Sequence, residues 1–146
     1  MRLEVTRKSD LATKALLELD ALGRRSKAAE LATLVGTTPG FLSQVLTPLV
    51  ANGWVRSEPG PTGGYSVATD LANVSVLDVI EAVEGPTDSG RCSLEDKSCS
   101  DDNPCVIHEA WSRARRQLLD DLGRIPLSKL GTEALSKAIS VSPALD

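Results

Sequence analysis

Apolar residues in the first half of the chain recur at the spacing of helices. In TRKSDLATKALLELDAL, residues 6–22, Leu11, Ala12, Ala15, Leu16, Leu19 and Leu22 fall on one stripe, and Lys8, Lys14, Glu18 and Asp20 lie off it. That is the i, i+3, i+4 pattern of an amphipathic helix. Gly23 and the basic pair Arg24 and Arg25 close it, as a C-cap region should. The following SKAAELATLVG predicts a short helix capped by Ser26 and stopped at Gly36, with Ala28, Leu31, Leu34 and Val35 inward. TTPGFLSQVLTPLVANG predicts a third helix. Thr38 suits its N-cap, Pro39 its first position, and Phe41, Leu42, Val45, Leu46, Leu49 and Val50 its apolar face, up to Gly53. Pro48 sits inside that helix and removes a hydrogen bond near its last turn.

The period changes at residue 54. WVRSEPGPTGGYSVAT predicts two short strands, 54–58 and 65–69, around a Gly/Pro turn. SVLDVIEAVEG then predicts a helix with Ser75 as N-cap, Asp78 close to a capping box, and a stop at Gly85 and Pro86. From Cys105 to Leu122 an amphipathic segment carries Val106, Ile107, Ala110, Trp111, Ala114, Leu118, Leu119 and Leu122. A helix at the end of so small a domain cannot easily hide that surface, so a second copy of the chain is expected to cover it. The expected fold class is mainly α with a small β-hairpin: a winged helix-turn-helix plus a long C-terminal dimerisation helix. Its parts are a DNA-binding region at 1–85, a cysteine-containing loop at 86–104, a dimerisation helix and return segment at 105–130, and a weakly patterned tail at 131–146.

Charge bears on the partner. The chain of 146 residues has a formal net charge of -4. Residues 1–70 hold eight Lys or Arg against seven Asp or Glu, whereas residues 71–146 hold eight against thirteen. The acidity belongs to the second half, and a DNA-binding first half is permitted. No apolar run approaches the ~18 residues that a membrane span requires. A cytoplasmic protein without a membrane partner is therefore expected.

Three helices, a tight GTT turn between the last two, and a Gly-rich hairpin make the order of a winged helix-turn-helix. The segment 38–52 would be its recognition helix. Thr37, Thr38, Ser43, Gln44 and Thr47 would then face phosphates and base edges, where Gln pairs bidentately with adenine and Thr methyls meet thymine. The hairpin turn, with Thr62, Gly63 and Gly64, would lie beside the DNA backbone or enter a minor groove.

RCSLEDKSCSDDNPCVIHEAW, residues 91–111, holds all three cysteines, Cys92, Cys99 and Cys105, and the only histidine, His108, spaced C-x6-C-x5-C-x2-H. The neighbours are polar, so packing does not explain the thiols. An odd number of cysteines in a cytoplasmic chain favours metal or redox chemistry over disulfides. Thiolates are the usual ligands of iron-sulfur clusters, and three leave one position for a further donor. His108 would share a face with Cys105 if a helix begins at that cysteine. Zinc suits the same donors, and free thiols without a cofactor stay open. The chain has no C-x-x-C pair and no substrate-pocket signature, so it is not expected to be an enzyme.

DLATKALLEL, AAELATLVGTTPGFLSQVLTPLVANGWVRSEPGPTGGYSVA, VSVLDVIEAVEG and CVIHEAW closely resemble the Rrf family of bacterial winged-helix transcription regulators, from about residue 1 to 130. The P-x-[YF]-L-x-Q recognition helix, Pro39 to Gln44, and the G-x-x-G-G-Y wing, Gly60 to Tyr65, are its most specific parts. The resemblance implies a homodimer on a double-stranded DNA operator, sensing iron-sulfur status, nitric oxide or redox stress. It also implies a 2Fe-2S cluster on the three cysteines with His108 as fourth ligand. SDLATKA resembles a segment of other members in which an aspartate from the opposite subunit completes a 4Fe-4S cluster, making Asp10 the alternative. Three departures stand out. Phe41 replaces the usual Tyr, the first cysteine gap is one residue longer, and the wing lacks a frequent Arg. Arg2, Lys8, Lys27 and Arg56 are then the candidates for phosphate contacts.

Overall fold

The computed structural model describes residues 4–88, 94 and 99–131. Arg2, Cys92 and the tail from 132 onward lie outside the described residues. Helices α1 (Arg7–Leu22), α2 (Ala28–Val35) and α3 (Pro39–Ala51) precede strands β1 (Val55–Glu58) and β2 (Gly64–Val67). A 3-10 turn at Leu71–Asn73 leads to α4 (Val76–Glu84) and α5 (His108–Gly123).

Local chemistry fixes most of these ends. Thr6 caps α1 by accepting from the Ser9 N–H at 3.3 Å, and Gly23 ends it at φ 60°, a left-handed conformation that glycine adopts without strain. Thr38 caps α3 by accepting from the Phe41 N–H at 3.3 Å, with Pro39 in the first turn. The helix runs past Pro48, whose carbonyl accepts from the Asn52 side chain at 2.8 Å near the C-terminal end. Both bonds of the Ser75 and Asp78 capping box are present on α4.

Two ends differ from expectation. Lys27, not Ser26, is the N-cap of α2, and it makes no side-chain capping bond. Ser26 is drawn instead to the wing: its N–H and C=O exchange bonds of 2.8 Å with Tyr65, and its hydroxyl donates to Glu30 at 2.8 Å. The last helix begins at His108 rather than Cys105; residues 105–107 form a turn, with the His108 N–H donating to the Cys105 carbonyl at 3.0 Å. Leu34, expected inward, is exposed, because Ala28, Leu31, Ala32 and Val35 complete the inner stripe of α2.

The core gathers Leu16, Leu19, Leu31, Leu42, Leu46, Leu49 and Val79, all fully buried. Each such side chain contributes about 1.5–3 kcal/mol by leaving water. α1 is the central element, packed on α2, α3 and α4. β1 and β2 form an antiparallel hairpin registered from Val55 opposite Val67 to Glu58 opposite Gly64. Beyond α5 the chain returns: the Val76 N–H donates to the Ile125 carbonyl and the Leu127 N–H to the Val74 carbonyl, both at 2.9 Å. That return buries Leu127 completely. α5 packs on α4, yet none of its own residues is buried. No helix among the described residues is long and apolar enough to cross a membrane.

Candidate nucleic-acid interface and cysteine site

α2 and α3 meet at 94° across the short turn at Thr37, the geometry that lets a second helix stand out from the body. Thr38, Ser43, Gln44 and Thr47 are exposed along α3, and Thr37 is half-buried in the turn. The Thr47 hydroxyl donates to the Ser43 carbonyl at 2.8 Å, so its proton is committed to the helix while the residue itself stays exposed. Ser43, Leu46, Thr47 and Val50 of α3 face Ser57 and Tyr65 of the hairpin across a groove of about 260 Å³. The helix and the hairpin therefore border one continuous surface. Arg56 is exposed on β1, and Lys8 is half-buried on α1.

The hairpin turn is packed down onto the α1–α2 connection. A Cβ on Gly63 would meet the Glu58 carbonyl oxygen at 2.0 Å, and one on Gly64 would meet the Ser26 carbonyl oxygen at 2.4 Å. Both glycines are thus required by close approach within the chain. Arg25 donates to the Thr62 carbonyl at 3.0 Å and pairs with Glu58, and the Lys27 ammonium donates to the Pro61 carbonyl. Sequence reasoning gave Arg25 only a helix-ending role, since nothing local signals its reach to the wing. Beside it, Arg24 forks onto Glu30 at 2.6 and 3.2 Å. These hydrogen bonds first, and that of Ser26 next, hold the Glu30 carboxyl down to about 2, and the same pairing raises the Arg24 guanidinium.

The cysteine site stands at the start of α5. His108 Nδ1 lies 3.0 Å from the Cys99 sulfur, and its Nε2 lies 3.0 Å from an Asp101 carboxylate oxygen. Cys99 and Cys105 are half-buried, and Cys105 precedes His108 by one turn. A thiol and an imidazole are donor types that iron and zinc accept, but among the described residues no group of three such donors is gathered; the structure brings together the pair Cys99 and His108. Asp101 was not singled out by the sequence, where it is one acid among several; its place on the far ring nitrogen is the arrangement that orients ligating histidines. Asp10 is exposed on α1 and pairs with Lys14 of the same helix at 2.8 Å. Farther along, Arg115 pairs with Asp88 at 2.5 Å and ties the start of the cysteine loop to α5. Val5, Leu77, Ile80, Leu118, Leu119 and Leu122 line an apolar groove of about 460 Å³ between α4, α5 and the N-terminal segment.

A family model described as Rrf2, iron-dependent transcriptional regulator, matches residues 5–133. The chain belongs to the Rrf2 family. An HTH-type transcriptional regulator of Aquifex aeolicus is 32% identical over 118 residues, covering 77% of this chain and 82% of the relative. The regulator IscR of Cronobacter sakazakii is 31% identical over 131 residues, covering 88% and 80%. Among solved structures, CymR, the global cysteine regulator of B. subtilis, superposes with a TM-score of 0.73 at 22% identity, covering 90% of this chain and 98% of CymR. T. potens IscR gives 0.68 at 22% identity, covering 99% and 94%. At those identities the structures speak for the fold: a winged helix, as in CymR and IscR. This Rrf2 protein is a transcriptional regulator of a DNA-binding family.

Proposed function

We propose that this Rrf2 protein is a homodimeric repressor or activator whose operator affinity is set by an iron-sulfur cluster on Cys92, Cys99, Cys105 and His108. The observation that carries the proposal is the convergence of His108 Nδ1 and the Cys99 sulfur at 3.0 Å. When bound, an iron-sulfur cluster supplies a centre that oxidants and nitric oxide attack and that iron or sulfide scarcity empties. The protein's part is to hold and to transmit. Thiolates of the three cysteines and the His108 imidazole provide the donors, and Asp101 fixes the ring. Asp10 is the alternative fourth donor, supplied by the opposite subunit. A 2Fe-2S cluster is favoured with His108, and a 4Fe-4S cluster with Asp10.

Transmission has a physical route. His108 opens α5, α5 packs on α4, and α4 packs on both α1 and α3. A shift of α5 thus reaches the recognition helix through contiguous packing. The apolar residues of α5 and its groove support a second copy of the chain as their cover, which would set the spacing of two recognition helices. Thr37, Thr38, Ser43, Gln44 and Thr47 read the operator, with Lys8, Arg56 and the wing on its backbone. A coupling of ~1–3 kcal/mol between cluster and DNA suffices to switch a promoter.

The test is anaerobic purification with iron and sulfide analysis, followed by DNA titrations of the holo and apo forms. A brown protein with acid-labile sulfide and a holo–apo difference of about 5-fold or more supports the proposal. A colourless protein overturns the cluster, and bound zinc in it would transfer the same donors to a zinc site.

A further inference from the structure

The hairpin of this chain has no net charge of its own: residues 54–68 hold Arg56 and Glu58 and no other ionisable group of either sign at neutral pH. Duplex DNA carries about one negative charge per 1.7 Å, so a neutral wing gains little beside it. The cations stand next door. Arg25 reaches from the α1–α2 connection to the Thr62 carbonyl at 3.0 Å and pairs with Glu58, cancelling the wing's one negative charge. Lys27 donates to the adjacent Pro61 carbonyl. Their placement is built into the backbone: Ser26, between them, is bonded in both directions to Tyr65 at 2.8 Å, and Gly64 lies too close to the Ser26 carbonyl for any side chain.

We propose that Arg25 and Lys27 are the wing's DNA-facing cations, forming with the turn Pro59 to Gly63 a composite surface for the phosphate backbone. The proposal rests on the DNA-binding reading, in which Lys27 was already a candidate for phosphate contact; it adds Arg25 and the hydrogen bonds that fix both cations on the turn. Both side chains remain substantially exposed while donating to the turn, and each has donors left for a phosphate oxygen. The two roles reinforce each other. Holding the turn down fixes its height over the groove, and the positive charges then sit at that fixed height.

The test uses the full chain and a mixed-sequence duplex of about 30 base pairs, because phosphate contacts do not depend on an operator. Arg25→Gln with Lys27→Gln removes both charges and keeps a donor for each carbonyl. The expected result is a loss of about 10-fold or more in affinity near 0.1 M salt and a slope of log K against log salt shallower by about two. Arg25→Lys, which keeps both positive charges, should retain the parent's slope. Arg113→Gln on α5, a helix that packs on α4, removes a charge outside this surface and should leave the slope as it is. A double Gln variant that binds as the parent does, with the same slope and an unchanged melting temperature, overturns the inference alone. A parent that fails to bind the duplex overturns the DNA reading and this inference with it.

Discussion

His108 is held through both ring nitrogens: Nδ1 faces the Cys99 sulfur and Nε2 faces Asp101, each at 3.0 Å. A ring fixed on two sides has one nitrogen oriented toward the thiol, which is the state in which a ligand needs little rearrangement. His108→Ala should therefore lose or alter the visible spectrum of the anaerobically purified protein, with cluster affinity lower by about 10-fold or more. Asp101→Ala should fall between parent and His108→Ala. Asp10→Ala should keep the parent spectrum. A bleached Asp10→Ala beside an unaltered His108→Ala would hand the fourth position to Asp10.

Gln44 is exposed on α3 in the company of Ser43 and Thr47. A base-edge contact from such a carboxamide is worth about 1–3 kcal/mol. Gln44→Ala should weaken operator binding by about 5- to 150-fold while the oligomeric state stays as in the parent. A gel-shift titration reads the effect, and an unchanged midpoint would strike Gln44 from the reading surface.

Leu118 is 42% exposed on a helix none of whose residues is fully buried within its own chain. Leu118→Asp places a charge on that apolar face, and burying an unpaired charge in an interface costs several kcal/mol. If a second copy covers this face, as proposed, light scattering should show Leu118→Asp dissociating at concentrations at least about 10-fold higher than the parent. Equal dissociation constants would place the contact elsewhere.

The order of elements was readable from the sequence wherever a local device set it. Thr38 with Pro39, and Ser75 with Asp78, carry their capping partners within three residues, so α3 and α4 begin where the pattern puts them. Ser26 misled because its capping competence was overruled by Tyr65, a partner that only the folded wing brings near. Cys105 misled for a related reason: the apolar periodicity continues through Val106 and Ile107, but Ile107 takes a non-helical cap conformation and Val106 is 92% exposed. At the cysteine site, spacing placed Cys92, Cys99, Cys105 and His108 together; the structure brings Cys99 and His108 into contact, and Cys92 lies outside the described residues. Arg25 and Asp101 were not legible, because a single charge among many carries no period and its role depends on a carbonyl or a ring nitrogen distant in sequence.

Leu127 makes the same point energetically. It lies in the short stretch Ile125-Pro126-Leu127, too short to carry a period, yet it is fully buried where the return segment pairs with the start of α4. Leu127→Ala should destabilise the chain by about 2–5 kcal/mol, through lost transfer energy and the cavity left behind. Urea unfolding would measure it. A change below about 1 kcal/mol would mean that the return segment does not dock as described.

The α1–α2 connection gives the protein a pH dependence of predictable sign. Glu30 accepts from Arg24 at 2.6 and 3.2 Å and from Ser26 at 2.8 Å, and these bonds lower its carboxyl from an ordinary 4.5 to about 2. A carboxyl depressed in the folded state contributes stability that is complete above the unfolded value of 4.5 and is lost as pH falls from there through about 2. Glu30→Gln removes the titrating group. Parent and variant should therefore differ in urea midpoint near about pH 6, with the parent more stable, and the difference should shrink by about pH 3. Added salt should narrow the gap at the higher pH, since the pair faces solvent. A gap of the same size at both pH values, or one that widens in acid, would rule out the Arg24 and Glu30 pairing as its source.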